Sequence, residues 1–215
     1  MPIICPAILA DSEETYRKQI DNIVHLAHRI QIDLTDGKFA PGRTVSAEQA
    51  WWPAGFKADF HLMYNDPTEA IKVIMQHKPH MIIVHAEAHI NYLEIAGFCH
   101  QYDVKVGVAM LPGTTPESII PALDQTDHVL IFSGNLGHQG GSNADLSLLD
   151  KVKLLKSLNP VLEIGWDGGI DDQNVAELIS GGIDVLDVGG YIQKAEDPER
   201  AFNTLQRIAD ETGTT

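Results

Sequence analysis

Cysteine is scarce in this chain: Cys5 and Cys99 are the only two among 215 residues. That excludes a disulfide framework, and Cys5, set in an apolar run, reads as a small buried thiol. Long hydrophobic runs are missing as well. No stretch of 18 apolar residues occurs, so no membrane-spanning helix is expected. The opening Met1-Pro2-Ile3-Ile4-Cys5 lacks the basic start of a secretory leader and reads directly as a strand, so a cytoplasmic location is expected. Basic residues are few, with 15 Lys and Arg against 30 Asp and Glu and a net charge of −15. A surface of that sign argues against nucleic-acid and anionic-membrane partners. It leaves room for a small phosphorylated ligand, because backbone N–H groups and helix N-termini hold phosphate without cations. Low-complexity tracts and linkers are absent too, so residues 1–215 are expected to form one domain.

What is present is alternation. Short β-rich runs fall at 3–7, 30–34, 58–63, 81–85, 105–110, 128–132, 161–167 and 184–188. Amphipathic stretches of helical period lie between them, at 12–26, 67–77, 90–101, 116–123, 146–158, 172–179 and 198–211. Strand–helix alternation implies a parallel sheet with right-handed crossovers. Eight such units in this length predict an α/β fold, a single (β/α)8 TIM barrel.

In such a barrel the strand C-termini converge on one face, where active sites are built. Three segments end there: Gln31-Ile32-Asp33, Phe60-His61-Leu62-Met63 and Trp166-Asp167-Gly168-Gly169. They supply two carboxylates, an imidazole and an amide, a set suited to proton transfer around a metal ion. Glycine pairs follow strands 7 and 8, at Gly168-Gly169 and Gly189-Gly190, in the loops that form the usual phosphate site of this barrel class. No basic residue adjoins either pair. A third glycine-rich loop, residues 133–141, follows strand 6 and is long enough to close over a ligand.

These residues carry a resemblance. The chain is similar to the ribulose-phosphate 3-epimerase family almost end to end. Cys5-Pro6-Ala7-Ile8-Leu9 resembles the family's Pro-Ser-Ile-Leu start, and residues 32–39, Ile-Asp-Leu-Thr-Asp-Gly-Lys-Phe, resemble its Val-Asp-Val-Met-Asp-Gly-His-Phe. Phe60-His61-Leu62-Met63 is close to its Val-His-Leu-Met, and Val84-His85-Ala86-Glu87 to its fourth-strand motif. Lys105-Val106-Gly107-Val108-Ala109 fits strand 5, Asp167-Gly168-Gly169-Ile170 fits strand 7, and Gly189-Gly190 falls at the family's Gly-Ser.

The resemblance implies interconversion of D-ribulose 5-phosphate and D-xylulose 5-phosphate, or of a close keto-sugar phosphate, through an enediolate. It places Asp33 and Asp167 as the two acid/base groups. It implies a divalent metal (Zn, Mn, Mg or Fe) held by Asp33, His61 and Asp167. Gln31 stands where the family has a fourth ligand, a histidine. An amide oxygen is a weak donor beside an imidazole nitrogen, so the metal is expected to be weakly held or absent as purified. Ala7, His61, Gly137, Gly140, Gly168, Gly169, Gly189 and Gly190 are the expected substrate and phosphate contacts. Ala7 replaces a family serine, Thr35 a methionine, and His138 and Gln139 the Phe and Gly of the family's Gly-Phe-Gly-Gly. A further copy of the chain is the expected macromolecular partner, with Trp51-Trp52 packing a loop or a subunit contact.

Two other classes compete. A barrel that only binds sugar phosphate gains nothing from two facing carboxylates, which repel unless a cation lies between them. A related lyase, such as a hexulose-phosphate synthase or keto-gulonate-phosphate decarboxylase, carries Asp-x-Lys at a strand end, whereas Asp33-Leu34-Thr35 has no Lys. His85 is left open between a supporting and a packing role, His138 is undecided, and Lys38 reads as a solvated loop lysine.

Overall fold

The computed structural model describes residues 1–213. Eight parallel strands close into a barrel in the order β1 to β8, so the α/β barrel expected from the alternation is what forms. The strands are β1 (Ile3–Ile8), β2 (Arg29–Thr35), β3 (Lys57–Met63), β4 (Met81–His85), β5 (Lys105–Met110), β6 (His128–Phe132), β7 (Glu163–Asp167) and β8 (Val185–Val188). Helices α1 (Glu13–Ile23), α2 (Thr68–Met75), α3 (Tyr92–His100), α4 (Leu149–Leu158), α5 (Val175–Ser180), α6 (Gly190–Gln193) and α7 (Pro198–Gly213) surround them.

Two connections depart from the simple alternation. The segment expected as a helix at 116–123 is two 3-10 turns, Pro116–Ser118 and Ile120–Gln125. Pro121 has no N–H to donate to the Glu117 carbonyl, so a continuous α-helix across it would lose a bond, and the chain starts a new turn at Ile120 instead. The β2–β3 connection is a loop organised by Asp36, whose Oδ1 accepts from the N–H groups of Lys38 and Phe39, both at 2.8 Å, and whose Oδ2 accepts from Asn65 N at 3.1 Å. Strand β7 starts at Glu163 rather than 161, since Val161 is 90% exposed.

Side chains alternate across a strand, so one parity faces the helices and the other the barrel interior. Ile30, Ile32, Leu34, Phe60, Leu62, Ile82 and Val84 belong to the apolar layer under the helices. The interior parity is polar over much of the barrel. Strand β2 reads Arg-Ile-Gln-Ile-Asp-Leu-Thr, the pattern of a half-exposed strand, yet all seven residues are buried. Met81, Ile83, Ala109 and Leu130 form a small apolar cluster apart from the main core. The floor is an ion network instead. Arg29 Nε donates to Asp59 Oδ2 at 2.6 Å, and its terminal nitrogens donate to both Glu163 oxygens at 2.7 and 2.9 Å. His128 Nδ1 lies 2.9 Å from Glu163 Oε1. Gly165 leaves the space for that imidazole, because a Cβ there would meet His128 Nε2 at 2.6 Å.

Candidate active site

The C-terminal ends of β2, β3 and β7 carry Asp33, His61 and Asp167 inward at neighbouring register positions, Asp33 beside His61 across β2–β3. One ligand atom from each lies within 4.8 Å of the other two. His61 Nδ1 is 2.9 Å from Asp33 Oδ1 and 3.5 Å from Asp167 Oδ2. Gln31, two residues before Asp33 and so on the same interior parity, is fully buried. Its Nε2 donates to Asp33 Oδ1 at 2.9 Å and to Asp167 Oδ2 at 2.7 Å. The two carboxylates are thus tied by one amide and one imidazole.

Burial is the main force on Asp33: it raises the carboxyl to about 6, the charge of Asp167 adds to the rise, and hydrogen bonds from His61 and Gln31 oppose it. Burial alone would lower His61, but its bonds to Asp167 and Asp33 outweigh that and raise the imidazole to about 9. His85, behind His61, is lowered by burial to about 4. Asp187 is raised well above the ordinary carboxylate range, first by burial and then by the charge of Asp167.

The donor set fits a divalent cation. Two carboxylate oxygens and one imidazole nitrogen converge, and three protein ligands with an open position are a common catalytic arrangement. Gln31 is the qualified member. Its Oε1 is buried without a hydrogen-bond partner, while its N–H groups face the acids. Turning the amide over would direct Oε1 at the carboxylates, an orientation favourable only with a cation between them.

Above the acids lies a cavity of about 270 Å³, bordered by Asp33, Met63, Asp167 and Asp187 on one side and by the loops after β6, β7 and β8 on the other. Ala7, Gly137, Gly140, Gly168, Gly169, Gly189 and Gly190 all border it. The glycines serve close approach of backbones. Gly168 has φ of +117°, and a Cβ there would lie 2.2 Å from Gly134 N. A Cβ on Gly190 would lie 2.8 Å from Gly140 Cα. The β6 loop is anchored by Gln139, whose Nε2 donates to the Ala7 carbonyl at 3.1 Å while its Oε1 accepts from Gln19 Nε2 at 3.0 Å.

Three residues at this cavity were not anticipated. Lys194 borders the same cavity, so the absence of a basic residue beside the glycine pairs holds along the chain but not in space. It follows Gly190 by one helical turn, and i, i+4 spacing could have found it. Asp187 was legible as a lone acid of interior parity in the apolar run Val185–Val188. Tyr191 carried no such signal. Thr35 is engaged elsewhere: its hydroxyl donates to the Ala40 carbonyl at 3.4 Å and accepts from Gly37 N at 3.3 Å. Trp52 packs on Phe60 at 5.4 Å, and Trp51 lies near Tyr16 and the Arg17 guanidinium.

Known proteins place the chain in a family. The ribulose-phosphate 3 epimerase family model matches residues 3–193. Ribulose-phosphate 3-epimerase of Aquifex aeolicus is 30% identical over 216 residues, covering 97% of each chain. The enzyme of that name from Helicobacter pylori is 29% identical over 211 residues, covering 95% of this chain and 97% of its own. Among solved structures, KGPDC from Streptococcus mutans superposes with a TM-score of 0.77, covering 98% of both chains at 12% identity, which speaks to the fold alone. No helix among the described residues is long and apolar enough to cross a membrane. With a family model spanning nearly the whole barrel, the chain belongs to the ribulose-phosphate 3-epimerase family of isomerases.

Proposed function

We propose that the protein interconverts D-ribulose 5-phosphate and D-xylulose 5-phosphate, or a close keto-sugar phosphate, by proton transfer at C3. The observation that carries this reading is the convergence of Asp33 and Asp167 on one small cavity, with ligand atoms within 4.8 Å. Epimerisation requires an acid/base group on each side of the carbon. One carboxylate removes the C3 proton, the electron pair passes into the adjacent carbonyl to give an enediolate, and the other carboxyl returns a proton to the opposite face. Burial and the charge of Asp167 raise the Asp33 carboxyl above its ordinary value, which makes it a stronger base for the C3 proton. Gln31 and His61 hold the carboxylates in their relative orientation through the bonds described above.

Asp33, His61 and Asp167 are the residues that would hold a divalent cation, with Gln31 as a weak fourth. Bound there, the ion supplies positive charge that stabilises the enediolate oxygens. The glycine loops after β7 and β8, with Gly137, Gly140 and Lys194, hold the phosphate. The working unit is read as a homo-oligomer, which light scattering on the eluting protein would check. Incubating the enzyme with ribulose 5-phosphate in deuterated water should exchange the C3 proton and yield xylulose 5-phosphate. Asp33→Asn and Asp167→Asn should each slow this by about 10²- to 10⁴-fold. No exchange after addition of Zn²⁺, Mn²⁺, Mg²⁺ or Fe²⁺ would reject the assignment.

A further inference from the structure

Behind His61 stands a second imidazole that the proposed proton transfers do not use. His61 Nε2 and His85 Nε2 are 2.8 Å apart, and His85 Nδ1 lies 3.3 Å from Glu87 Oε2. Both rings are buried, at 0% and 1% exposure. Phe39 packs on His85 at 4.6 Å between centroids, and Phe132 lies 5.8 and 5.9 Å from the two imidazoles. Glu87 is itself held in place. Its Oε1 accepts from Leu111 N at 3.2 Å and from the Thr114 hydroxyl. Lys151 Nζ pins that turn by donating to the carbonyls of Leu111, Pro112 and Thr114 at 2.9, 2.8 and 2.7 Å.

The direction of this chain of bonds follows from donor and acceptor chemistry. Two nitrogens at 2.8 Å share one proton, since two N–H groups would collide and two lone pairs would repel. An ionised carboxylate only accepts, so His85 Nδ1 carries hydrogen toward Glu87. With its ring proton given to Glu87, His85 has only the Nε2 lone pair to offer His61. The proton between the rings therefore sits on His61 Nε2. Nδ1 of His61 is the ring atom directed at the space beside Asp33 and Asp167, where a cation would take the place of its proton.

We propose that His85 and Glu87 are positioning residues that hold His61 in the Nε2–H tautomer and so present its Nδ1 as the ligand for a divalent cation. This rests on the metal-binding reading of Asp33, His61 and Asp167, but not on which sugar is turned over.

The test loads the full chain with Zn²⁺, measures affinity by competition with a chromophoric chelator, and records ring ¹⁵N spectra of labelled histidine. Wild-type His61 is expected to show a protonated Nε2 and a zinc-bound Nδ1. In Glu87→Gln an amide N–H can turn toward His85 Nδ1 and reverse the chain, so zinc affinity should fall by about 10- to 100-fold. Glu87→Asp keeps an acceptor-only group and should retain most of the affinity. Wild-type affinity in Glu87→Gln, or zinc bound through Nε2 of His61, would overturn the proposal. Should Glu87→Gln fail to fold, the wild-type ring spectrum decides by itself. If Glu87→Gln loses zinc while the wild-type enzyme turns over no sugar phosphate, the positioning role stands and the epimerase reading fails.

Discussion

Gln31 places an amide where two carboxylates would otherwise face each other unscreened. Its N–H groups satisfy both acids at the cost of a buried, unpartnered Oε1, a loss of about 1–3 kcal/mol. That arrangement opposes cation entry, because the amide must turn before its oxygen can serve as a ligand. Gln31→His replaces it with a stronger donor at the same strand position. Zinc affinity should rise by about 10- to 100-fold, the scale typical of changes around metal ligands, and epimerase turnover should rise with it. Isothermal titration of Zn²⁺ into metal-free protein checks the first. Unchanged zinc binding would mean that the side chain at 31 does not control the site. Tightly held stoichiometric zinc in the purified wild-type protein would mean the same.

At the scale of elements, the barrel floor joins β2, β3, β6 and β7 through Arg29, Asp59, Glu163 and His128. Burial works to raise the Glu163 carboxyl, but hydrogen bonds from His128 and Arg29 outweigh it and hold the group well below its ordinary value of 4.5. The sign follows. A depressed carboxyl contributes stability that is complete above the unfolded value and is lost as the pH falls below it. Glu163→Gln should cost about 2 kcal/mol at neutral pH, read from urea unfolding midpoints. The gap between wild type and variant should close as the pH is lowered from about 6 toward 3. A gap that stays constant over that range would show that the Glu163 charge is not what joins the strands.

The whole molecule carries a net charge of −15, so its folded state repels itself. Sodium chloride screens that repulsion: the Debye length falls from about 30 Å at 0.01 M to about 3 Å at 1 M. The floor ion pairs are buried and lose less to screening than surface charges gain. Raising the salt over this range should therefore raise Tm by about 2–4 °C, the shift that roughly 1 kcal/mol carries in a domain of this size. Differential scanning calorimetry decides it. A Tm that falls with salt would mean that attractive pairs, rather than net charge, dominate the electrostatics.

Much of this protein is written in local pattern. Eight strand runs separated by helical periods pointed to parallel strands, and eight units in this length favoured a closed barrel over an open sheet, which is what forms. The strand-end placement of Asp33 and Asp167 was legible because loop residues or glycine follow at the barrel mouth, whereas His61 as a site residue rested on the family-like Leu62-Met63 context beside it. The orientation of the Gln31 amide was not legible, since it depends on which oxygens two other strands bring to it. Nor was the line from His61 through His85 to Glu87, where alternation sets the facing of each residue but only barrel closure sets the 2.8 Å between rings. Asp187 and Lys194 carried local signals, interior parity and i, i+4 spacing, but only barrel closure brought them to one cavity with Asp33 and Asp167. Chain order and alternation are local properties of the backbone, whereas distances across the barrel interior exist only once all eight strands have closed and their side chains compete for one enclosed space.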